Sequence, residues 1–149
     1  MTPGAEVVKK KGMASDIPNL KSRVAVVVSV LLVIALIHIF RVGTYLSGTL
    51  FTLYYSFFSD VIIPFGMYFM LCLNEATIPA LRSWRTKSML VFGAASATEV
   101  AQAFGIPLLG ETFDPLDFVM FALGTLLAVF ADRIVLPRLM PSWRLERGR

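Results

Sequence analysis

The chain has 149 residues, a formal net charge of +4, one cysteine and one histidine. It is 56% hydrophobic with a mean hydropathy of +0.72, which excludes an ordinary soluble domain and is typical of a chain that uses lipid as its solvent. One cysteine and one histidine are too few for a zinc site, and the sequence has no phosphate-binding loop and no hydrolase or metalloprotease motif. We therefore expect no cofactor and no metal.

Four apolar segments predict an all-α polytopic membrane protein, a four-transmembrane-helix bundle with both termini cytoplasmic. A flexible basic tail at 1–21 precedes a membrane domain at 22–137, and a second basic tail covers 138–149. The predicted spans lie at about 24–40, 54–73, 88–106 and 116–135. The first span is not followed by a signal-peptide cleavage site, so we expect it to be retained.

The basic residues predict the orientation of this bundle. With four spans and a cytoplasmic N-terminus, every lysine and arginine except Arg41 lies on the cytoplasmic side. A fifth span at 42–58 would move the cluster formed by Arg82, Arg85 and Lys87 to the outside, against the positive-inside rule. Residues 42–58 are therefore predicted to be interfacial or re-entrant, or else part of the second span. Basic residues at the ends of apolar segments indicate topology rather than nucleic-acid binding.

Polar side chains from all four spans are predicted to gather in the outer half of the bundle. Glu99 and Gln102 are three residues apart and so share one face of the third span. Glu111 lies in the short loop that follows, and the fourth span begins with two more acids. The candidate ligand-binding residues are Glu99, Gln102, Asp114, Asp117, Asp60, Arg41 and His38.

Several of these residues also have a structural explanation. Asp114, Pro115 and Asp117 fit the N-cap, the first helical position and the first-turn acid of a helix. Asp60 fits a first-turn acid of the second span. Glu99 lies within a helix and caps nothing, so it either forms an interhelical hydrogen bond or belongs to a functional site. Catalytic residues are unknown, and the pattern favours a non-enzymatic protein over one that uses Glu99 as a general acid or base.

Small residues mark the places where helices are expected to pack. The third span is rich in glycine and alanine, including Gly93 and Ala97, so we expect this helix inside the bundle. Gly124 has the same predicted role in the fourth span. A transporter or proton channel is less favoured, because the predicted inner halves of the helices offer few polar groups beyond Ser88, Thr125 and Asp132.

The acid and amide pattern resembles the VanZ-like family of small bacterial membrane proteins. The shared features are Glu99-Val-Ala-Gln102 on one helix, then Asp114 and Asp117 spaced D-x-x-D after a short outer loop, then Gly124. The resemblance covers about residues 60–130. It implies the bacterial cytoplasmic membrane, a role in the cell envelope and, for some members, a link to glycopeptide-antibiotic tolerance. The chain departs from the family pattern where an arginine often precedes the first aspartate, at 110–112, and where an asparagine often follows it, at Phe121.

Two hypotheses of function follow from the sequence. The first is a VanZ-like envelope protein whose outer acidic pocket binds a lipid-linked or glycan-like ligand. The second is a non-catalytic accessory or scaffold subunit of a larger membrane complex. The expected partners are membrane lipids, the lipid-linked or glycan ligand, and either another membrane protein or a second copy of the chain, but not nucleic acid.

Overall fold

The computed structural model describes residues 20–106 and 113–143. All the regular structure in these two stretches is helical, which confirms the all-α class. The four long helices are α1 (Leu20–Ile39), α2 (Gly48–Leu73), α3 (Trp84–Ala103) and α4 (Pro115–Phe130). Helix α4 continues through a π-helical turn (Ala131–Val135) into the short helix α5 (Leu136–Leu139). Three-residue and four-residue 3₁₀ turns lie at Val42–Tyr45, Pro79–Arg82 and Pro141–Trp143.

Three segments are long and apolar enough to cross a membrane, judged by length and composition: α1, α2 and the continuous stretch Pro115–Leu139. Helix α3 is as long as α1 but carries Arg85, Lys87, Glu99 and Gln102. In lipid, such a helix needs neighbours that neutralise or hydrogen-bond these side chains. The residues that pack against α3 therefore determine how this helix is stabilised in the fold.

The second helix takes in most of the segment 42–58, which agrees with the alternative that this segment is part of the second span. Residues 42–58 are neither a separate helix nor a re-entrant loop, because Val42–Tyr45 is a 3₁₀ turn and α2 begins already at Gly48. Helix α2 is 26 residues long, about 39 Å at 1.5 Å per residue. Pro64 lies inside it and is buried. The predicted start near residue 54 was too late, because an uncharged aromatic segment carries no local signal that distinguishes an interfacial stretch from the first turns of a long helix.

The buried core lies near the end of the bundle where α1 and α3 begin and α2 ends. It includes Val27, Tyr68, Phe69, Cys72, Val91, Ala128 and Trp143. Trp143 comes from the segment predicted as the second basic tail, yet it is only 2% exposed. The first basic tail lies outside the described residues apart from its last two, Leu20 and Lys21, which already belong to α1.

The backbones of α2 and α4 are in close contact where Gly124 of α4 meets Val61 of α2. A Cβ atom built on Gly124 would lie 2.8 Å from the carbonyl carbon of Val61 and would overlap its oxygen. Gly124 is therefore the residue that lets these two backbones touch. Gly93 and Ala97 differ from the expectation of an interior α3, because both are exposed and a Cβ on Gly93 would meet no atom within 4 Å.

These two glycines form a matched pair for substitution. Gly124→Ala should lower the free energy of unfolding by about 1–3 kcal/mol, because backbone atoms cannot move aside for a methyl group as a flexible side chain can. Gly93→Ala should leave stability unchanged or raise it by up to about 1 kcal/mol, because alanine favours the helix and has free space there. Thermal unfolding of both variants in one detergent measures the difference. Equal melting temperatures would contradict the α2–α4 contact.

Candidate functional site

Carboxyl groups from three helices converge near the end of the bundle where α4 begins. Asp60 comes from α2, Glu99 from α3, and Asp114 and Asp117 from the start of α4. These four residues, here called the acidic cluster, are electrostatic neighbours of one another. Their burial is graded: Glu99 is buried, Asp60 and Asp117 are half-buried, and Asp114 is exposed. The cluster therefore reaches from the surface into the bundle.

Glu99 is the innermost member and connects α3 to the start of α4. Its side chain is 4% exposed in the chain, and its Oε2 atom accepts a hydrogen bond from the backbone N–H of Asp114 at 3.3 Å. Asp117, in the first turn of α4, is an electrostatic neighbour of Glu99. Glu99 thus has both a structural contact with the start of α4 and a second acid near it.

The two acids at the beginning of α4 also have local structural roles in starting that helix. Asp114 is the N-cap residue, and its Oδ1 atom accepts a hydrogen bond from the N–H of Leu116 at 2.8 Å. Pro115 is the first helical residue, where a missing N–H has no cost, and Asp117 lies in the first turn beside the positive end of the helix dipole. One carboxylate oxygen of Asp114 remains for other partners.

Asp60 does not cap a helix. It lies near the middle of α2, which begins at Gly48, so its interpretation as a first-turn acid is wrong. The misassignment follows from the late predicted start of that helix. A half-buried aspartate in the middle of an apolar helix is costly in lipid and needs a partner or a function. Asp60 is therefore a stronger candidate for a ligand-binding residue than the sequence indicated.

Two other candidates, His38 and Arg41, form no ion pair with these acids in the part of the chain that the structure describes. His38 is exposed, and its Nδ1 atom lies 2.9 Å from the Ile34 carbonyl oxygen. Arg41 is exposed in a left-handed backbone conformation, with no ion pair to a described acid. Gln102 is half-buried, three residues beyond Glu99. Glu111 and the family position at 110–112 lie outside the described residues, and Phe121 is a buried aromatic residue beside Phe118.

A second polar cluster, which the sequence did not predict, lies at the opposite end of the bundle. Lys87 is only 1% exposed, and its ammonium group contacts the carboxylates of Glu75 and Asp132, the latter at 3.1 Å. The same Nζ atom lies 3.1 Å from the Cys72 sulfur and 4.5 Å from the centre of the Tyr68 ring. Lys87 lies about 18 Å along α3 from Glu99, so the two clusters are separate. We call this second group the lysine cluster.

Arg23 and Trp143 complete the lysine cluster from the two ends of the described chain. Arg23 donates to Glu75 at 2.5 Å and to the Trp143 carbonyl oxygen at 2.8 Å, and its guanidinium lies over the Trp143 ring. The indole N–H of Trp143 donates to Asp132 at 2.8 Å, and the Tyr68 hydroxyl donates to the same carboxylate. Two cations therefore balance two anions, and every charge is paired.

Cys72, Glu75 and Asp132 place one sulfur and two carboxylate oxygens within 4.8 Å of one another, a spacing that suits a metal ion. The Lys87 ammonium, however, contacts all three of these groups. A cation is therefore already supplied by the chain itself, and the residues do not need a metal for charge balance. Because the charges of its buried side chains are paired within the chain, this cluster is best explained as structural.

Sequence reasoning missed the lysine cluster because its cations also fit a simpler rule. Arg23 and Lys87 lie near helix ends and were counted as cytoplasmic topology signals. The pairs that they form span 52 residues for Arg23–Glu75 and 45 for Lys87–Asp132, so no local pattern shows them. The available signal was a lysine at the edge of the apolar run 88–92, which in lipid requires a counter-charge.

Comparisons with known proteins do not identify the chain. A scan against protein-family models and searches of curated proteins and of solved structures found no match. The resemblance to the VanZ-like family therefore rests on the residues quoted above and remains a proposal.

Replacing Lys87 tests the lysine cluster. Lys87→Met keeps the length of the side chain but leaves two carboxylates with a single cation, which should cost about 3–5 kcal/mol of unfolding free energy. Lys21→Met removes the same charge from an exposed position of α1 and should leave the melting temperature unchanged. Thermal unfolding in one detergent compares the two. If Lys87→Met melted together with Lys21→Met, the lysine cluster would not hold the helices together.

Proposed function

We propose that the chain is a VanZ-like integral membrane protein of the cell envelope, with four spans, cytoplasmic termini and a ligand-binding pocket at the acidic cluster. The pocket faces the outer leaflet and binds a lipid-linked or glycan-like ligand. Glu99, Asp60, Asp114 and Asp117 accept hydrogen bonds from that ligand. The observation that carries this proposal is the contrast in charge between the two polar clusters.

The charges of the lysine cluster are balanced and buried, whereas the acidic cluster has no described counter-charge and reaches the surface. Its four carboxyl groups share no ion pair with a cation among the described residues. Carboxylates brought together in an apolar setting repel one another unless protons or an external donor compensate. Such an arrangement is unfavourable for stability alone, which supports a role in binding.

The chemistry of the cluster favours a donor-rich ligand. Carboxylates only accept hydrogen bonds when ionised, and their bonds to charged donors are the strongest. Sugar hydroxyl groups and ammonium groups provide such donors, whereas a bare phosphate would be repelled. Exposed apolar residues flank the cluster at Phe113, Leu116 and Val119. A ligand with a polar head and an acyl or prenyl chain matches both features.

The test is the set of lipids that co-purify with the protein. Wild-type protein extracted in a mild detergent should carry a hydroxyl-rich or amine-bearing lipid that mass spectrometry identifies after organic extraction. The double variant Glu99→Gln, Asp117→Asn should retain at least several-fold less of it, because amides attract such donors more weakly than carboxylates. Asp16→Asn, which removes an acid upstream of α1, should retain the wild-type amount.

Identical lipid content in wild type and in the double variant would overturn the proposal, provided both proteins elute as folded particles with equal melting temperatures. Absence of any hydroxyl-rich or amine-bearing lipid from the wild-type protein would also overturn it.

A second candidate function is that of an accessory subunit in a larger membrane complex. It is favoured by the exposed small residues of α3, Gly93 and Ala97, which would let another helix approach closely. Native mass measurement after gentle extraction distinguishes the two functions. A discrete complex with other proteins supports the subunit, and a monomer or homodimer supports the ligand-binding protein.

A further inference from the structure

The end of the bundle that holds the lysine cluster has an unusual distribution of charge. Glu75 and Asp132 are the acids that the described residues place at this end, and both are buried, at 3% and 7% exposure. Their charges are neutralised by ion pairs with Arg23 and Lys87, which are also buried. The described surface at this end therefore carries no acid that could neutralise a basic side chain.

Five basic residues are nevertheless exposed at the same end. These residues, here called the basic rim, are Lys21, Arg82, Arg85, Arg133 and Arg138. None of them forms an ion pair within the stretches 20–106 and 113–143. The rim thus has a formal charge of +5 with no internal counter-charge among the described residues.

Two of the rim arginines are held in place by neighbours that leave their charge available. The Nε atom of Arg82 donates to the Glu75 backbone carbonyl at 3.2 Å, which leaves its two terminal nitrogens for another acceptor. Arg85 lies over the Trp84 ring at 5.6 Å. Tryptophan with partial exposure is typical of the membrane interface, so this pair is suited to the headgroup region.

Exposed apolar side chains adjoin the rim residues in the same helices. Lys21 lies between Leu20 and Val24, and Arg133 precedes Ile134, all three apolar residues being exposed. Met89 is 75% exposed and lies one turn beyond Arg85. A cation beside a lipid-facing apolar surface matches a phospholipid, in which a phosphate adjoins acyl chains. A nucleic acid or an acidic soluble protein would contact the charge but leave this apolar surface uncovered.

From these observations we infer that the basic rim is a binding surface for anionic phospholipid headgroups. Four of its five residues are arginines, whose planar guanidinium groups bind phosphate through two parallel hydrogen bonds. The lysine cluster makes this surface possible, because it keeps the acids of this end inside. The inference requires the bundle to lie in a bilayer but not that the acidic cluster binds a ligand.

Competition between two phospholipids in native mass spectrometry tests the inference. The detergent-solubilised protein is mixed with equal amounts of phosphatidylglycerol and phosphatidylcholine of the same acyl chains. Wild-type protein should retain phosphatidylglycerol at least several-fold more than phosphatidylcholine. The triple variant Arg82→Gln, Arg85→Gln, Arg133→Gln should reduce this ratio to near one. Arg41→Gln, an exposed arginine at the other end, should keep the wild-type ratio.

A wild-type ratio near one, or a triple variant that keeps the wild-type ratio, would overturn the inference. If the triple variant does not fold, the single variants Arg85→Gln and Arg133→Gln replace it, and each should lower the ratio. The inference would also be overturned if Arg41→Gln lowered the ratio of bound phosphatidylglycerol to phosphatidylcholine as much as the triple variant does. Binding would then follow the net charge of the protein rather than the basic rim. None of these results depends on the co-purifying lipid at the acidic cluster.

Discussion

The fold depends on one buried ammonium group. Removing Lys87 from water is costly, and the cost is offset only because Glu75 and Asp132 approach it from the end of α2 and from the π-helical turn after α4. Arg23 of α1 and the Trp143 indole then complete the charge and hydrogen-bond balance. Because each helix contributes a partner, none can leave this end without exposing an unpaired charge to an apolar setting. The π-helical turn belongs to the same arrangement, since it carries the aspartate that three side chains share.

The paired charges of the lysine cluster make the unpaired charges of the acidic cluster significant. Near the start of α4, Asp60, Glu99 and Asp117 come together without a described cation, although the same chain neutralises its buried acids completely at the other end. The tight contact of Gly124 with Val61 joins α2 and α4 between the two clusters, so the positions of Asp60 and Asp117 are fixed by packing. A rigid set of uncompensated acceptors is suited to a ligand that brings its own donors.

Sequence patterns predicted the elements with local signals and missed those without them. Aspartate before proline predicts a helix start, and α4 begins at Pro115 with Asp114 as its N-cap. The uncharged aromatic residues after Ser47 have no such signal, so α2 was predicted to begin too late and Asp60 was assigned to a first turn. The pairs Arg23–Glu75 and Lys87–Asp132 depend on the way the helices pack, which a single sequence does not encode locally. Glycine and alanine content predicted an interior α3, but helix packing is decided by which face carries them, and Gly93 lies on the exposed one.

We propose that the two clusters lie at opposite faces of a membrane, the acidic cluster open and the lysine cluster closed. Cysteine labelling in intact cells tests this proposal most directly. Single cysteines at Phe113, beside the acidic cluster, and at Ser83, beside the basic rim, are compared with the native Cys72, which is 1% exposed. An impermeant thiol reagent should label position 113 from outside and position 83 only after permeabilisation, and it should label Cys72 only after denaturation. Labelling of positions 113 and 83 from the same side, or labelling of Cys72 in the folded protein, would contradict the account.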